Sequence, residues 1–193
     1  MAKSIGLFFG SFNPVHVGHM IIANFMVEHS TLDEIWMIVS PQNPHKKKKN
    51  LASEYDRLHM VKLAIGDQPN IKASDIEFKL PQPSYTVDTL TYLKEKYPSK
   101  RFSLIMGGDN LATFHKWKNY ELILEQHSLY VYQRPQYQVG PLADHEQVTI
   151  LEAPLLQLSA SYIRKQIKEN KSIRYLVPDA VHAELTATGL YRE

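Results

Sequence analysis

Short apolar runs alternate along the chain with segments whose apolar residues recur every three or four positions. The runs predict buried strands, and the segments between them predict helices with one apolar face. The predicted strands are Ile5–Phe9, Glu34–Ser40, Arg101–Gly107, Ser128–Gln133 and Val148–Ala153, with a weaker candidate at Ile71–Phe78. The predicted helices are Met20–His29, Ser53–Ile65, Tyr85–Tyr97, Ser161–Glu169 and Pro178–Thr188. This alternation predicts an α/β fold, a doubly wound parallel sheet covered on both faces, with a short helical part at the C-terminus.

The length and composition agree with one such unit. The 193 residues are 44% hydrophobic and contain no linker rich in Pro, Gly or Ser, so we expect a single domain over residues 1–193. The lack of cysteine excludes disulfides and a cysteine nucleophile, and with no secretory signal evident it favours the cytoplasm. No apolar run reaches the roughly 18 residues of a membrane helix. A net charge of +2 is too small to indicate a nucleic-acid partner.

The stretch GSFNPVHVGH, Gly10 to His19, follows the first predicted strand and leads into the first helix. Open α/β sheets bind ligands at such turns, where the N–H groups and the dipole of the helix favour anions. Gly10 lets the backbone approach a ligand closely. His16 and His19 would face the same cleft, where imidazoles can donate hydrogen bonds to phosphate oxygens. The stretch therefore indicates a nucleotide phosphate site.

A phosphate site fits this stretch better than the alternative interpretations do. The two histidines could simply lie at the start of a helix without a ligand. A zinc site would need a third ligand, and neither that ligand nor an HExxH glutamate is evident. The chain has neither the GxxxxGK[ST] loop of P-loop proteins nor the GxGxxG fingerprint of dinucleotide-binding proteins.

The same stretch resembles the GxFxPxHxGH signature of the nucleotidyltransferase superfamily, whose members transfer a nucleoside monophosphate from a nucleoside triphosphate. Phe9 departs from it, since many members have glycine there. A second superfamily signature, ISxxxIR, resembles LSASYIR at Leu158–Arg164. There Ser159 and Ser161 offer hydroxyls at a helix start, and Arg164 offers a planar fork suited to phosphate.

The resemblance implies a Rossmann-like nucleotidyltransferase fold and a site for ATP. The catalytic residues that it implies are His16, His19 and Arg164. The ATP-binding residues that it implies are Gly10, Ser11, Phe12, Gly18, Ser159, Ser161 and Ile163. It further implies Mg²⁺ on the ATP phosphates, without a cluster of carboxylates as protein ligands.

Three middle stretches resemble the nicotinate-nucleotide adenylyltransferases, which make nicotinic acid adenine dinucleotide from nicotinate mononucleotide and ATP. They are PQNPHK (Pro41–Lys46), PSYTVDTL (Pro83–Leu90) and MGGDNLATFHKWKNY (Met106–Tyr120). The mononucleotide-binding residues that this resemblance implies are His45, Lys46, Tyr85, Thr86, Asp109, Trp117 and Arg134.

Several of these residues could also have a purely structural role. Asp109, past a strand end, could accept hydrogen bonds from ribose hydroxyls or cap a helix. Trp117 could stack on a cationic pyridinium ring or pack in the core. The helix that starts near Tyr85 and Thr86 could hold the nicotinate carboxylate on its N–H groups, or be an ordinary helix start. The lysine run after His45 could be a basic flap or a solvated loop.

The reaction implied is in-line attack of the mononucleotide phosphate on the α-phosphorus of ATP. Because the attacking group is already an anion, positioning and charge stabilisation suffice and no general base is needed. Rival hypotheses are nicotinamide mononucleotide or phosphopantetheine as the acceptor, a nucleotide-binding module without turnover, a zinc hydrolase and a DNA-binding protein. The sequence leaves the oligomeric state open, a homo-oligomer included.

Overall fold

The computed structural model describes residues 2–41, 51–133, 140–154 and 156–192. Within these ranges six strands form one sheet in the order β3-β2-β1-β4-β5-β6, and every neighbouring pair is parallel. The strands are β1 (Lys3–Gly10), β2 (Glu34–Val39), β3 (Ile71–Ser74), β4 (Lys100–Gly107), β5 (Leu129–Tyr132) and β6 (Val148–Leu151). The predicted α/β class and doubly wound parallel sheet are therefore confirmed.

The described residues also form seven α-helices and two short 3₁₀ helices. The α-helices are α1 (Val17–His29), α2 (Glu54–Ile65), α3 (Thr86–Lys96), α4 (Gly108–Thr113), α5 (Tyr120–Gln126), α6 (Ala160–Lys168) and α7 (Asp179–Thr188). The 3₁₀ helices span Ile76–Lys79 and Phe114–Lys116. The weaker strand candidate, Ile71–Phe78, is a strand only as far as Ser74, because the first 3₁₀ helix begins at Ile76. No helix in the described ranges is long and apolar enough to cross a membrane.

Local sequence accounts for several helix boundaries. The Ser53 hydroxyl accepts a hydrogen bond from the Asp56 N–H at 3.1 Å, which caps α2. The Ser159 hydroxyl caps α6 in the same way, accepting from the Tyr162 N–H at 3.2 Å. The predicted helix Pro178–Thr188 begins one residue later in the structure, at Asp179, so Pro178 immediately precedes α7 rather than lying in its first turn.

The hydrophobic core has two parts, one on each face of the sheet. Leu7 in β1 points to the face covered by α3, where it belongs to the same buried cluster as Leu90. The next residue, Phe8, points to the opposite face and clusters with Met26 of α1 and Val61 of α2. Alternate residues of a buried strand thus each have an apolar layer to pack against, which explains the continuous apolar runs of the sequence.

The order of the strands also locates a crevice for ligands. From β1 the chain proceeds outward to β2 and β3, then returns to β4 on the other side of β1. The turns that leave the carboxyl ends of β1 and β4 therefore diverge to opposite faces. Such switch points are where open α/β sheets bind ligands. Here β1 ends at Gly10, the first residue of GSFNPVHVGH, and β4 ends at Gly107, the second residue of the stretch Met106–Tyr120.

Candidate active site

The turn after β1 is built around the ring of Phe12. A Cβ atom on Gly10 would lie 2.7 Å from that ring, so a side chain at this position would displace it. Phe12 is buried, with a φ of 43°, and its ring lies edge-on to His19 with centroids 5.0 Å apart. Gly10 is therefore required by the packing of the turn itself. The side chain of Phe12 supports the histidine from beneath rather than facing the crevice.

The two histidines of the signature hold each other at the start of α1. The backbone N–H of His16, the residue before the helix, donates to Nδ1 of His19 at 3.2 Å. Their rings stack with centroids 3.6 Å apart. A Cβ atom on Gly18 would lie 3.1 Å from Nδ1 of His16, so glycine leaves room for that ring. Because a backbone N–H can only donate, Nδ1 of His19 accepts, and Nε2 carries the proton of the neutral ring.

Asn13 is the centre of a hydrogen-bond network that joins the turn to the C-terminal part. Its side-chain oxygen accepts from the Ala52 N–H at 3.1 Å and from the Tyr191 hydroxyl at 2.6 Å. Its backbone carbonyl accepts from Nη1 of Arg164 at 2.6 Å. Burial raises the pKa of the Tyr191 hydroxyl, which therefore stays protonated and donates. The network fixes the turn that precedes the two histidines.

The second signature thus lies against the first in the structure. Besides its bond to Asn13, Arg164 donates through Nη2 to the Ser161 hydroxyl at 3.2 Å. Ser159 is the cap of α6. The side chain of Ile163 is wholly buried in the core, so only its backbone could contact a ligand.

A cavity of about 720 Å³ opens beside Arg164, between α6 and the residues that follow α7. Its polar lining includes Ser161, Arg164, Lys165, Lys168 and Tyr191. Three cations on one side of a helix make this region favourable for an anion with several charges, although Lys165 lies 3.8 Å from Glu169.

Arg57 is a part of the site that sequence analysis missed. Its side chain is fully buried and donates to four backbone carbonyls: Ser11 at 2.7 Å, Ser40 at 2.8 Å, Ala52 at 3.0 Å and Pro41 at 3.1 Å. Burial lowers the pKa of its guanidinium, which still remains charged. One cation therefore ties together the turn after β1, the end of β2 and the segment before α2.

The turn after β4 presents a buried carboxylate oxygen. Asp109 lies in the first turn of α4, directly behind Gly107 and Gly108. Its Oδ1 atom is buried and has no hydrogen-bond partner among the residues that the structure describes. It rests so close to the Cα of Gly107 that a Cβ there would clash with it. A buried acceptor left without a donor suits a ligand that brings hydroxyl groups.

Tyr85 and Thr86 start α3, and Trp117 ends the 3₁₀ helix after α4. Tyr85 is the residue before the helix, and no side chain caps it. Trp117 is half-buried, with its ring 5.1 Å from that of Phe114, so it packs on the core and still keeps part of its surface accessible. Lys118 lies 4.6 Å from the centre of the Tyr85 ring.

Three predicted residues, His45, Lys46 and Arg134, lie outside the described ranges. Within those ranges, no three His, Cys, Asp or Glu side chains are placed to hold a metal ion. The zinc hypothesis therefore gains no ligand set from this part of the chain.

Comparisons with known proteins show the family of the chain. The Cytidylyltransferase-like family model matches residues 7–166. A Cytophaga hutchinsonii protein named "Probable nicotinate-nucleotide adenylyltransferase" is 56% identical over 187 residues, covering 97% of each chain. A Flavobacterium psychrophilum protein of the same name is 51% identical, covering 98% of this chain and 99% of its own.

A solved structure has the same fold as this chain. The nicotinic acid mononucleotide adenylyltransferase of Plasmodium falciparum complexed with NaAD superposes with a TM-score of 0.81, covering 98% of this chain and 97% of that one. At 20% identity, this likeness supports the fold alone.

Proposed function

The chain belongs to the nicotinate-nucleotide adenylyltransferases, within the cytidylyltransferase-like family, and from this premise we propose which residues do the chemistry. The enzyme is a nucleotidyltransferase of NAD biosynthesis. It transfers the adenylyl group of ATP to nicotinate mononucleotide, giving nicotinic acid adenine dinucleotide and pyrophosphate. The observation that carries this conclusion is the identity above 50% with relatives of that name over nearly the whole chain.

The phosphates of ATP are proposed to bind at the start of α1. The N–H groups and dipole of the helix favour an anion there. Nε2 of His19 carries the ring proton in the neutral tautomer, so it can donate to a phosphate oxygen. His16 holds that ring in place through its backbone N–H. Ser161 and Arg164 are proposed to bind the outer phosphates, since Arg164 keeps donors beyond the two bonds that it makes to Asn13 and Ser161.

The mononucleotide is proposed to bind across the crevice from ATP. The buried Oδ1 of Asp109 would accept from a ribose hydroxyl. The half-buried ring of Trp117 would stack on the cationic pyridinium ring. The first N–H groups of α3, around Tyr85 and Thr86, would hold the nicotinate carboxylate.

The reaction then needs only positioning and electrostatic stabilisation. An oxygen of the mononucleotide phosphate bonds to the α-phosphorus of ATP, and the bond from that phosphorus to the β-phosphate oxygen breaks. Pyrophosphate leaves with the electron pair, and no proton has to be transferred. His19 and Arg164 would stabilise the negative charge that develops on the phosphate oxygens.

Mg²⁺ is the divalent ion that we propose to accompany ATP. We propose that phosphate oxygens and water hold this ion, because Mg²⁺ usually keeps several waters and binds through substrate phosphates rather than in a protein cage. When bound, the ion neutralises part of the phosphate charge. The proposed compartment is the cytoplasm, in keeping with a chain that lacks cysteine and uses ATP.

The test is pyrophosphate release with ATP and Mg²⁺, comparing nicotinate mononucleotide with nicotinamide mononucleotide. Rapid release with the acid and little with the amide is the expected result. Equal rates would keep the adenylyltransferase activity and refute the assignment of the carboxylate to α3. Release with phosphopantetheine alone would replace the acceptor, and no release with any of the three would leave a nucleotide-binding module.

A further inference from the structure

The last tyrosine of the chain reaches back to the turn that precedes the two histidines. Tyr191 lies three residues past the end of α7, and its hydroxyl is 2.6 Å from Oδ1 of Asn13. The two residues are 178 positions apart in the sequence. The C-terminal tail, Gly189–Arg192, is thus fastened to the turn that leads into the proposed phosphate site.

The direction of this hydrogen bond follows from its surroundings. The Ala52 N–H donates to the same Oδ1 atom at 3.1 Å. An atom that accepts from a backbone N–H is the oxygen of the Asn13 amide group, and this oxygen can only accept. The Tyr191 hydroxyl is therefore the donor. Burial raises the pKa of this hydroxyl, although the cations of Arg164 and Arg57 oppose the rise, so the hydroxyl keeps the proton that it donates.

Asn13 connects this bond to the groups that are proposed to bind phosphate. It is buried, and its backbone carbonyl accepts from Nη1 of Arg164 at 2.6 Å. It also stands three residues before His16. With donors on both its side chain and its carbonyl, Asn13 is held from two directions. Loss of the Tyr191 hydroxyl would weaken the hold on the side chain, and the carbonyl that Arg164 binds could then shift.

The backbone of the tail is shaped for this contact. Tyr191 has a φ of 68°, in the left-handed region that residues other than glycine seldom adopt. Such a conformation costs free energy and persists only where the surrounding contacts impose it. The helix before the tail is firmly placed, because Val181 and Leu185 are buried in the same cluster as Met60 of α2. The contacts of the Tyr191 side chain therefore offset a strained turn.

The tail also forms one wall of the basic cavity. Leu190 and Tyr191 line this cavity together with Ser161 and Arg164 of α6. A phenylalanine ring would fill the same space as the ring of Tyr191, so packing alone does not require a tyrosine here. The hydroxyl adds the bond to Asn13, and a role in the reaction should depend on that bond.

We propose that Tyr191 is a positioning residue for the ATP side of the site, and that its hydroxyl acts through Asn13 to hold Arg164 and the turn before His16 in place. The proposed mononucleotide side is built from separate elements, α3 and the turn after β4. The hydroxyl should therefore affect ATP binding and the chemical step, but not the binding of the mononucleotide. This inference rests on the proposed binding of the ATP phosphates by His19 and Arg164.

The first experiment compares Tyr191→Phe with the unaltered enzyme in pyrophosphate release. We expect kcat/KM for ATP to fall about tenfold or more, with a higher KM for ATP, because displaced donors fit the phosphates less well. The KM for nicotinate mononucleotide should stay within about twofold. A fall in kcat with both KM values unchanged would show a smaller folded fraction only, and would overturn the role of Tyr191.

Tyr175→Phe is the matched control. Tyr175 is a second tyrosine of the C-terminal part with a positive φ, 69°, but it is 78% exposed. Its variant should keep the kcat and both KM values of the unaltered enzyme. Equal losses in the two phenylalanine variants would mean that the bond to Asn13 is not the cause, and would overturn the proposal.

The second experiment asks whether Tyr191 acts through Asn13. Asn13→Ala removes the acceptor of the hydroxyl. Adding Tyr191→Phe to that variant should change kcat/KM for ATP by less than about twofold, although Tyr191→Phe alone costs about tenfold. If the two losses multiply in the double variant, the route through Asn13 is wrong.

A measurement on the unaltered enzyme covers the case in which a variant does not fold. Coupling between two sites is reciprocal, so ATP that fixes Arg164 and Asn13 should also steady the tail. Amide hydrogen exchange of peptides that contain residues 189–192 should slow when ATP and Mg²⁺ are added, and should not slow with nicotinate mononucleotide. Exchange of the tail that is unchanged by bound ATP would overturn the role of Tyr191.

The outcomes separate this inference from the proposed function. If the unaltered enzyme releases pyrophosphate, yet Tyr191→Phe has the same kcat and the same KM for ATP, only the role of Tyr191 is overturned. If the unaltered enzyme releases no pyrophosphate from ATP and nicotinate mononucleotide, the proposed function is overturned and this inference with it.

Discussion

Nη1 of Arg164 donates a hydrogen bond of 2.6 Å to the backbone carbonyl of Asn13, joining the start of α6 to the turn after β1 across 151 residues of sequence. The same guanidinium donates to Ser161 at 3.2 Å. Two of its donors are thus used to fix the guanidinium in place, and the others remain for a ligand. Arg164 therefore acts both as a brace between the two signature stretches and as a proposed phosphate ligand.

Replacing Arg164 should test both roles together. We expect Arg164→Ala to lower kcat/KM for ATP by about 100-fold or more, since a charge-assisted contact to phosphate and the brace are both lost. Arg164→Lys should recover only part of this, because an ammonium lacks the planar fork. The control is Lys165→Ala, which removes a neighbouring, exposed cation from the same helix. Equal losses in the two alanine variants would mean that only general charge matters.

His19 should be needed for turnover but not for folding. His19→Ala removes the Nε2 donor proposed to face the phosphates, so kcat should fall by about 100- to 1000-fold. The measurement is pyrophosphate release under saturating ATP, alongside thermal unfolding. His29→Ala, at the far end of α1 where the ring stacks on Phe25, is the matched control and should keep its activity. Full activity of the His19 variant would contradict the role proposed for it.

The strands and most helices could be predicted because burial imposes a pattern on the sequence. A strand covered on both faces must be apolar along its length, and each of the predicted runs is a strand of the sheet. The helix α1 starts at Val17, before the predicted Met20, because a histidine pair and a glycine are not usual signals of a helix start. The short helices α4 and α5 escape prediction because six or seven residues give too little periodicity.

The site could be predicted only where a motif carries it. The histidines and Arg164 stand in recognisable stretches, whereas Arg57 acts through contacts that only the fold creates. The spacing of Arg57 was nevertheless informative. It lies three and four residues before the buried Met60 and Val61, on the inward face of α2. A charged residue on an inward face predicts buried acceptors, but not which ones.

Arg57 should contribute to stability as well as to the shape of the site. In Arg57→Met four carbonyls lose their donor, so we expect the free energy of unfolding to fall by about 3–5 kcal/mol. Arg57→Lys should lose less, because one ammonium can still reach some of the carbonyls. Chemical denaturation measures both. Arg101→Met, which removes an exposed arginine bonded to Ser4 at 3.3 Å, is the control and should cost under about 1 kcal/mol. A loss that small for Arg57→Met would show that water replaces its bonds.

Glu34, far from the crevice at the start of β2, should make stability depend on pH. Burial alone would raise the pKa of its buried carboxyl group, but hydrogen bonds from Lys3, Trp36 and Lys72 outweigh burial and lower the pKa to about 2. A carboxyl group whose pKa is lower in the folded state than its ordinary 4.5 stabilises the fold above that value. The stabilisation is lost as the pH falls from about 4.5 to about 2.

Glu34→Gln should remove this dependence. At pH 7 the variant should lose about 1–3 kcal/mol of unfolding free energy. The range extends down to about 1 kcal/mol because solvent screens the charges of the two half-exposed lysines. The difference from the unaltered protein should shrink as the pH falls below about 4.5, be mostly lost at about pH 2, where the folded carboxyl group is half protonated, and vanish only below that pH. Denaturation curves at several pH values measure it, with the exposed change Glu28→Gln as the control. A difference that stays constant between pH 7 and pH 2 would mean that Glu34 stabilises the fold by packing rather than by its charge.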